Sequence, residues 1–388
     1  MDHSFGQRPP FTLGIEEELH LVDPVTWRLV PDAARVLAAL DLPEGAAGHE
    51  AFAAQVELRS PISADVGEAA GALSRGRAAV VAAGATPLAA GLHPDAPAGD
   101  AALTDLPRYA RVKDDMRGLI QRTPEAALHA HVGMPDPDAA VTAFNGLRLH
   151  LPLLGGLAAS SPFWFGRDSG LASARWAVVM AYPGRGVPRA FAGWDEYCET
   201  LAAAVAAAGA QDYTHVWWDV RLHPRLGTVE VREMDVQTSL SDAAGLSALV
   251  HCLARRAVEE DAPAVPAEAL HWSAFRAARD GLDAELVAPD GSLQPLRSLA
   301  ADALARAREV AGELGADGAL DEVERLLRDA GGAARARAVF ARGGMEGLLR
   351  DLVERTAAPA GSPAAPADSP AAPADSGGRA GRHPTAGR

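Results

Sequence analysis

Six segments in the first 235 residues alternate between apolar and polar positions or carry short apolar runs, which is the pattern of β-strands. In a strand, successive side chains point to opposite faces, so one face of a segment can be apolar and the other polar. The stretch from His223 to Gly227 has the composition of a hairpin turn, so the two segments that flank it should be antiparallel neighbours. We predict strands at residues 11–22, 53–60, 126–133, 174–182, 213–223 and 227–235.

Helical patterns lie between the strands and fill the second half of the chain. Apolar residues at three- and four-residue spacing predict helices near 64–83, 137–158 and 194–209. Ser239 and Ser241 stand where a helix N-cap is expected, ahead of a helix that continues to about residue 260. From there nearly everything to about residue 356 has a helical pattern, with breaks predicted at Gly315–Gly318 and Gly331–Gly332.

The end of the chain has a different composition. The seven residues Ser362–Asp368 recur as Ser369–Asp375, and Pro, Ala, Ser and Gly dominate the whole stretch. It lacks the large apolar residues that form a core, so we predict a disordered tail over residues 357–388.

The polar faces of five predicted strands carry an unusual set of side chains. Taken alone, each strand fits an antiparallel sheet that has one face in the core and the other in water. Glu17 is an exception, because it lies on the apolar face of the first predicted strand. A merely solvated face should favour Thr, Ser, Lys and Gln, whereas Glu, His, Asp and Arg prevail here, as expected of a metal and phosphate site. The set comprises Glu16, Glu18, His20, Gln55, Glu57, Arg59, His129, His131, His215, Trp217, Asp219, Arg221, His223, Thr228, Glu230 and Arg232.

Composition excludes several classes of protein. The formal net charge of −15 argues against non-specific nucleic-acid binding, because phosphate recognition needs a basic face. Cys198 and Cys252 are the two cysteines, so neither a disulfide framework nor a cysteine-based zinc site is indicated. The start does not have the pattern of a signal peptide, and no run of about 18 apolar residues predicts a membrane span. We therefore expect a cytoplasmic protein.

Nine short motifs occur along residues 11–350 in a specific order. They are Gly14–Glu18, Gln55–Pro61, Gly91–Pro94, Arg108–Tyr109, His129–Gly133, Ser160–Pro162, Ser173–Arg175, Trp218–Arg221 and Gly227–Arg232. Each motif alone is weak, but the ordered set resembles the carboxylate-amine ligases, also called the type 2 glutamate–cysteine ligase family. The resemblance implies an α+β, glutamine synthetase-like catalytic fold: a curved antiparallel sheet of about six strands backed by helices, with a helical C-terminal portion.

The resemblance also changes the expected domain organisation. Length alone suggests two or three domains. The family instead implies a single ligase domain over residues 1–356, with a strand-bearing part to about residue 235 and a helical part over residues 240–356. It also allows a homodimer.

The resemblance implies a two-step reaction. ATP phosphorylates the γ-carboxylate of L-glutamate, and the amine of L-cysteine then attacks the acyl phosphate to give γ-glutamylcysteine, ADP and phosphate. Mg²⁺ is the expected cofactor, because it prefers hard oxygen ligands such as the carboxylates above. We predict that Glu230 and Arg232 are catalytic and that His131 and Arg232 contact phosphate. The predicted metal ligands are Glu16, Glu18, Glu57, His129 and Glu230.

Four further residues are predicted to bind the substrates. Arg175 and Arg167 lie in the segment 160–175, and a fork-shaped guanidinium suits an α-carboxylate. Asp219 and Arg221 share a strand face with the predicted site and could position either substrate.

Three alternatives stay open at this stage. The amine or the carboxylate could differ, since no feature identifies a thiol pocket. The same His and Glu residues could activate water in a metal-dependent hydrolase, although there is no His-Glu-x-x-His helix. A non-catalytic binding protein could keep the fold, but crowded carboxylates repel one another unless a cation offsets them.

Overall fold

A computed structural model describes residues 1–99 and 101–358 of the chain. The predicted tail, with its seven-residue repeat, falls outside these described residues beyond residue 358. Its predicted disorder therefore stays a prediction.

Strands and helices alternate up to residue 235, and helices predominate after it. The strands are β1 Leu13–Val22, β2 Ala47–His49, β3 Gln55–Arg59, β4 Thr86–Leu88, β5 Ala127–Gly133, β6 Phe163–Trp164, β7 Arg167–Asp168, β8 Val220–His223, β9 Thr228–Asp235, β10 Glu285–Val287 and β11 Leu293–Pro295. The α-helices are α1 Ala33–Ala39, α2 Val66–Ala82, α3 Pro107–Met116, α4 Pro137–Ala158, α5 Ala174–Val179, α6 Trp194–Ala207, α7 Leu240–Ala257, α8 Ala267–Asp280, α9 Leu296–Ala311, α10 Asp317–Arg328 and α11 Gly331–Ala357.

A seven-stranded antiparallel sheet forms the centre of the described structure. Its order is β2-β3-β1-β5-β9-β8, and β4 pairs with the far end of β1. The antiparallel sheet and mixed helix-strand architecture predicted from the sequence are confirmed, as is the hairpin that joins β8 to β9.

Helices cover one face of this sheet because the apolar positions of its strands point to that side. Leu13, Ile15, Leu19 and Leu21 of β1 are buried in one cluster with apolar residues of α2, α4 and α7. The helix α4 begins where the sequence predicts it, since the Asp136 side chain accepts a hydrogen bond from the Ala139 N–H and caps the first turn. The opposite face of the sheet is left for the polar side chains.

The predicted strand over residues 174–182 is wrong, because residues Ala174–Val179 form the helix α5. The Ser173 hydroxyl accepts a hydrogen bond from the Trp176 N–H and starts the helix. Ala174 and Val178, four residues apart, are both buried on one side of the turn. Helical spacing therefore prevails over the preference of the valines for strands.

The predicted strand over residues 213–223 is shorter than expected. Tyr213–His215 form a 3₁₀ turn, which the Asp212 side chain caps by accepting from the Thr214 N–H, and the strand begins only at Val220. His215 and Trp217 consequently lie outside the sheet, which contradicts their predicted place on the polar strand face.

A buried ion pair explains Glu17, which the alternation placed among apolar residues. The carboxylate of Glu17 accepts hydrogen bonds from Arg77 of α2 at Nε, 2.8 Å, and at Nη2, 2.6 Å. The guanidinium also donates to the backbone carbonyls of Gln237, Thr238 and Thr356. It thereby joins β1, α2, the segment after β9 and α11.

Among the helices of the described ranges, none combines the length and the apolar character needed to cross a bilayer.

Candidate active site

The strand order places predicted site residues from distant parts of the chain side by side. Glu16 of β1 lies opposite Arg59 of β3 and His129 of β5. Two residues along β1, Glu18 lies opposite Glu57. On the other side of β5, His131 lies opposite Glu230 of β9. The polar faces of β1, β3, β5 and β9 therefore form one continuous surface.

Two groups of potential metal ligands share His129. One ligand atom from each of Glu16, His129 and Glu230 lies within 4.8 Å of the others. The same holds for Glu18, Glu57 and His129. The structure thus brings together all five residues that the sequence predicts as metal ligands, and it arranges them as two adjacent groups around one imidazole.

The first group is stabilised in its ionised form. Burial alone would raise the pKa of Glu16, but the neighbouring His131 and His129 hold that pKa well below its ordinary value. Burial opposes ionisation of Glu230 as well, yet the guanidiniums of Arg221 and Arg232 keep its pKa well below the ordinary value. Both carboxylates are therefore ready to bind a cation.

The carboxyls of the second group resist ionisation in the absence of a cation. Burial, followed by repulsion from Glu50 and Glu125, raises the pKa of Glu18 well above its ordinary value. Burial and the neighbouring Glu16 do the same to the pKa of Glu57. Two buried carboxylates that repel their neighbours are stabilised when a cation binds between them, so this group fits a divalent metal ion.

His129 is suited to be a metal ligand because it is neutral. Burial, and then the charge of Arg232, lower the pKa of His129 to about 4. A neutral imidazole keeps a nitrogen lone pair for a metal at neutral pH. Its Nδ1 lies 3.4 Å from Glu16 Oε2, and its Nε2 lies 3.9 Å from Glu18 Oε1.

His131 lies beside the first group. Its Nδ1 is 3.1 Å from the Thr228 hydroxyl, and its Nε2 lies 3.6 Å from Glu16 Oε2 and 3.8 Å from Glu230 Oε1. Burial would lower the pKa of His131, but the two carboxylates raise it above the ordinary value. The imidazole can therefore present a proton or positive charge to an anion.

Two guanidiniums hold Glu230 in place. Arg221 donates to Glu230 Oε2 from Nε at 3.0 Å and from Nη2 at 2.8 Å, and Arg232 Nη1 donates to Oε1. Arg232 keeps 15% of its side chain exposed, whereas Glu230 has 1%. Its charge also interacts with Glu18 and Glu16, so Arg232 faces the metal groups while anchored by Glu230.

A β-bulge aims Arg232 at this surface. Leu128 pairs with Met234 and Ala130 with Val231, so His129 opposes two residues of β9 instead of one. The strict alternation assumed from the sequence ends there, because Met234 enters the core beside Leu128. Glu230 and Arg232 still share a face, as predicted.

The predicted substrate-binding residues lie in different surroundings. Arg175 is buried, and its Nε donates to Glu125 Oε2 at 2.9 Å while its Nη1 donates to the carbonyl of Glu233. Asp219 is fully buried, with its Oδ1 2.7 Å from Arg185 Nε. Arg167 is exposed in the β6-β7 hairpin. Their roles as substrate ligands, like that of Arg221, stay predictions.

Four charged residues of this surface were not among the predicted site residues. Glu50 and Glu125 raise the pKa of Glu18, Arg59 forms an ion pair with Glu57, and Arg185 pairs with Asp219. Glu50 directly follows β2 and Glu125 lies two residues before β5, so both are outside the strands, where alternation gives no signal. Arg59 does have a signal in the sequence, because it shares a strand face with Glu57.

Comparison with known proteins identifies the family. The model of glutamate–cysteine ligase family 2 (GCS2) matches residues 12–355. The chain belongs to this family. Membership makes it an enzyme of the ligase class, as its sequence motifs implied.

Individual relatives agree with this assignment. A protein of Rubrobacter xylanophilus named "Putative glutamate--cysteine ligase 2-3" is 43% identical over 366 residues, which cover 92% of this chain and 99% of the relative. A protein of Rhodospirillum rubrum named "Putative glutamate--cysteine ligase 2" is 34% identical over 383 residues, which cover 92% of this chain and 98% of the relative.

A solved structure shares the fold. The glutamate–cysteine ligase of Francisella tularensis in complex with AMP superposes on this chain with a TM-score of 0.67 at 15% identity. The superposition covers 90% of this GCS2 chain and 89% of the Francisella chain. The predicted glutamate–cysteine ligase-type fold is thereby confirmed.

Proposed function

We propose that this GCS2 enzyme ligates the γ-carboxylate of L-glutamate to the amine of L-cysteine at the expense of ATP, with Mg²⁺ as cofactor. The observation that carries the proposal is the convergence of Glu16, Glu18, Glu57, His129 and Glu230 into two ligand groups beside Arg232. The names of the relatives supply the substrate pair.

The reaction requires activation of a poor electrophile. A γ-carboxylate oxygen attacks the γ-phosphorus of ATP and releases ADP, which leaves an acyl phosphate. The amine nitrogen then attacks the acyl carbon, phosphate departs, and the nitrogen loses a proton. Phosphoryl transfer depends mainly on positioning and charge neutralisation, which is what this surface offers.

The residues present fit a divalent cation on two counts: their oxygen and imidazole donors, and the buried, mutually repelling carboxylates of Glu18 and Glu57. Glu16, His129 and Glu230 would hold one ion, and Glu18, Glu57 and His129 a second. Bound Mg²⁺ would neutralise phosphate charge and help to orient the transferred group.

Arg232 and His131 act on the phosphates in this proposal. The guanidinium of Arg232 is held by Glu230, so it stabilises charge on the transferred phosphoryl group without reorganising. His131 contributes a hydrogen bond or positive charge from the other side of Glu16. Arg175, Arg167, Arg221 and Asp219 are proposed to position the amino-acid substrates, directly or through their ion pairs.

A cavity next to the metal ligands offers room for a nucleoside. It measures about 160 Å³ and is lined by Glu16 and His131 on one side and by Gly14, Ser60 and Gly133 on others. A base and ribose placed in it would leave the phosphates beside Glu16, a ligand of the first group. The cavity therefore supports ATP as the co-substrate.

Product analysis tests the proposed function. The purified enzyme is incubated with ATP, Mg²⁺ and glutamate, the amine is varied across amino acids, and products are identified by mass spectrometry. We expect ADP release and γ-glutamylcysteine formation with cysteine. If ADP is released only with an amine other than cysteine, that amine replaces cysteine in the proposed reaction. Product formation without ATP would refute the proposal that the enzyme is an ATP-dependent ligase.

Removal of one metal ligand should change the metal requirement. We expect Glu57→Gln to raise the Mg²⁺ concentration needed for half-maximal activity by about tenfold or more, because the second group loses a charged ligand. Activity is measured in a Mg²⁺ titration. Glu309→Gln, which removes an exposed carboxylate of α9, is the matched control and should leave the titration unchanged.

Metal binding should also stabilise the protein in a pH-dependent way. Because the folded-state pKa values of Glu18 and Glu57 are raised, these two groups destabilise the metal-free fold progressively as pH rises from the ordinary carboxyl pKa to the raised values. Mg²⁺ competes with protons for these ligands. We expect the increase in melting temperature caused by Mg²⁺ to be larger at mildly alkaline than at mildly acidic pH. Equal increases at both would contradict the assignment.

A further inference from the structure

A second cavity lies among the C-terminal helices, away from the catalytic surface. It measures about 230 Å³ and is bounded by α4, α7, α8, α9 and the β10 strand. On α4 the lining residues are Pro152 and, along one stripe of the helix, Gly146, Leu149, His150 and Leu153. Gly155 lies on the opposite side of α4, against Glu233 of β9. The helix therefore separates the cavity from the sheet.

The walls of this cavity are apolar. Leu149, Leu153, Leu253, Leu270 and Leu286 are among the aliphatic residues that line it. Protein interiors are normally close-packed, so an unfilled space of this size forgoes many van der Waals contacts. An engineered apolar cavity of about 150 Å³ stays dry and binds benzene, so this larger cavity has room for a small aromatic molecule.

The mouth of the cavity is acidic. Glu260 at the mouth forms ion pairs with both Arg306 and Arg256, so its charge is compensated. Asp261 and Asp302 are exposed lining residues, and within the described ranges neither has an ion-pair partner. Two free carboxylates beside an apolar interior favour a ligand with an apolar body and a positive charge.

The interior of the cavity contains one titratable group. Burial, and then the charge of Arg306, lower the pKa of His150 to about 4, so its imidazole is neutral at physiological pH. A neutral imidazole neither repels an ammonium group nor attracts a carboxylate. Arg306, the cation among the lining residues, is paired with Glu260, so Asp261 and Asp302 give the lining its net negative charge.

We propose that this cavity is a binding site for a small arylalkyl ammonium compound, with the aromatic body between α4, α8 and α9 and the ammonium group at Asp261 and Asp302. The catalytic residues take no part in the site. The proposal is therefore independent of the ligase reaction and of its substrates.

Calorimetric titration of the full chain with 2-phenylethylamine tests the site, with 3-phenylpropionate as an anionic probe of similar shape. We expect saturable binding of the amine and binding of the acid that is about tenfold weaker or undetectable, because two carboxylates attract one and repel the other. Absence of amine binding, or equal affinity for both probes, would overturn the proposal.

Three variants locate the binding. Leu299→Trp adds a ring at a half-buried lining position and should abolish binding of the amine. Asp261→Asn/Asp302→Asn should weaken binding about tenfold. Asp283→Asn/Asp321→Asn removes two exposed carboxylates away from the mouth and should leave affinity unchanged. If Leu299→Trp fails to fold, the two double variants of surface aspartates test the site instead. Equal affinity of these two variants for 2-phenylethylamine would refute it.

Discussion

Replacement of Arg232 by alanine is expected to lower the rate of ATP-dependent product formation by about 100- to 1,000-fold while the protein stays folded. The guanidinium places positive charge close to both metal groups, and Glu230 already holds it in place. Charge that develops on the transferred phosphoryl group would lose this stabilisation. The loss should appear mainly in kcat, because the interaction strengthens in the transition state.

The fold should survive this replacement for a structural reason. Glu230 keeps both hydrogen bonds from Arg221, so no buried carboxylate is left without a partner. Circular dichroism and the melting temperature check this point. Arg232→Lys keeps the charge but not the fork-shaped geometry, so its rate should be intermediate.

A matched control separates the role of Arg232 from a general loss of positive charge. Arg225 lies three residues before the start of β9, pairs with Asp212 and has 62% of its side chain exposed. Arg225→Ala makes the same change in net charge and should leave product formation unaltered. Normal turnover in Arg232→Ala would remove its assignment as the residue that stabilises phosphoryl transfer.

The second large effect concerns stability. Arg77→Met is expected to lower the free energy of unfolding by about 3–5 kcal/mol, because it leaves the fully buried Glu17 carboxylate without its partner. Three backbone carbonyls also lose their donor. The measurement is equilibrium unfolding in urea, with the denaturant slope used to verify that the same surface unfolds.

A double variant tests whether charge imbalance causes the loss. Glu17→Leu/Arg77→Met removes both buried charges, so it should be more stable than Arg77→Met alone. Arg189→Met, which breaks a half-exposed ion pair with Glu196, should produce no measurable change. An Arg77→Met protein as stable as this control would show that the buried pair does not support the fold.

Local pattern predicted much of the structure correctly. Alternation placed β1, β3, β5 and β9, and the spacing of apolar residues placed α4 over residues 137–158. These elements succeed because each has one face in the core, so burial imposes its period on the sequence. Short edge elements such as β2 and β4 span three residues each, which is too few for a period to show.

Local pattern failed where a distant or capping interaction decided the outcome. Residues 174–182 carry valines that favour strands, but the Ser173 cap and the burial of two positions at helical spacing make α5. Glu17 contradicts its apolar face in the sequence. Its partner Arg77 is 60 residues away, so no local pattern could reveal the pair.

The sequence by itself determined the kinds of side chain that face the site and the strands that carry them, because alternation fixes which residues share a face. Only the tertiary structure decided that β5 lies between β1 and β9, which puts His129 between two groups of carboxylates. It also decided the bulge that brings Arg232 opposite His129. Strand pairing joins residues as distant as Glu16 and His129, and hydrogen bonds between such distant backbones leave no periodic trace in the sequence.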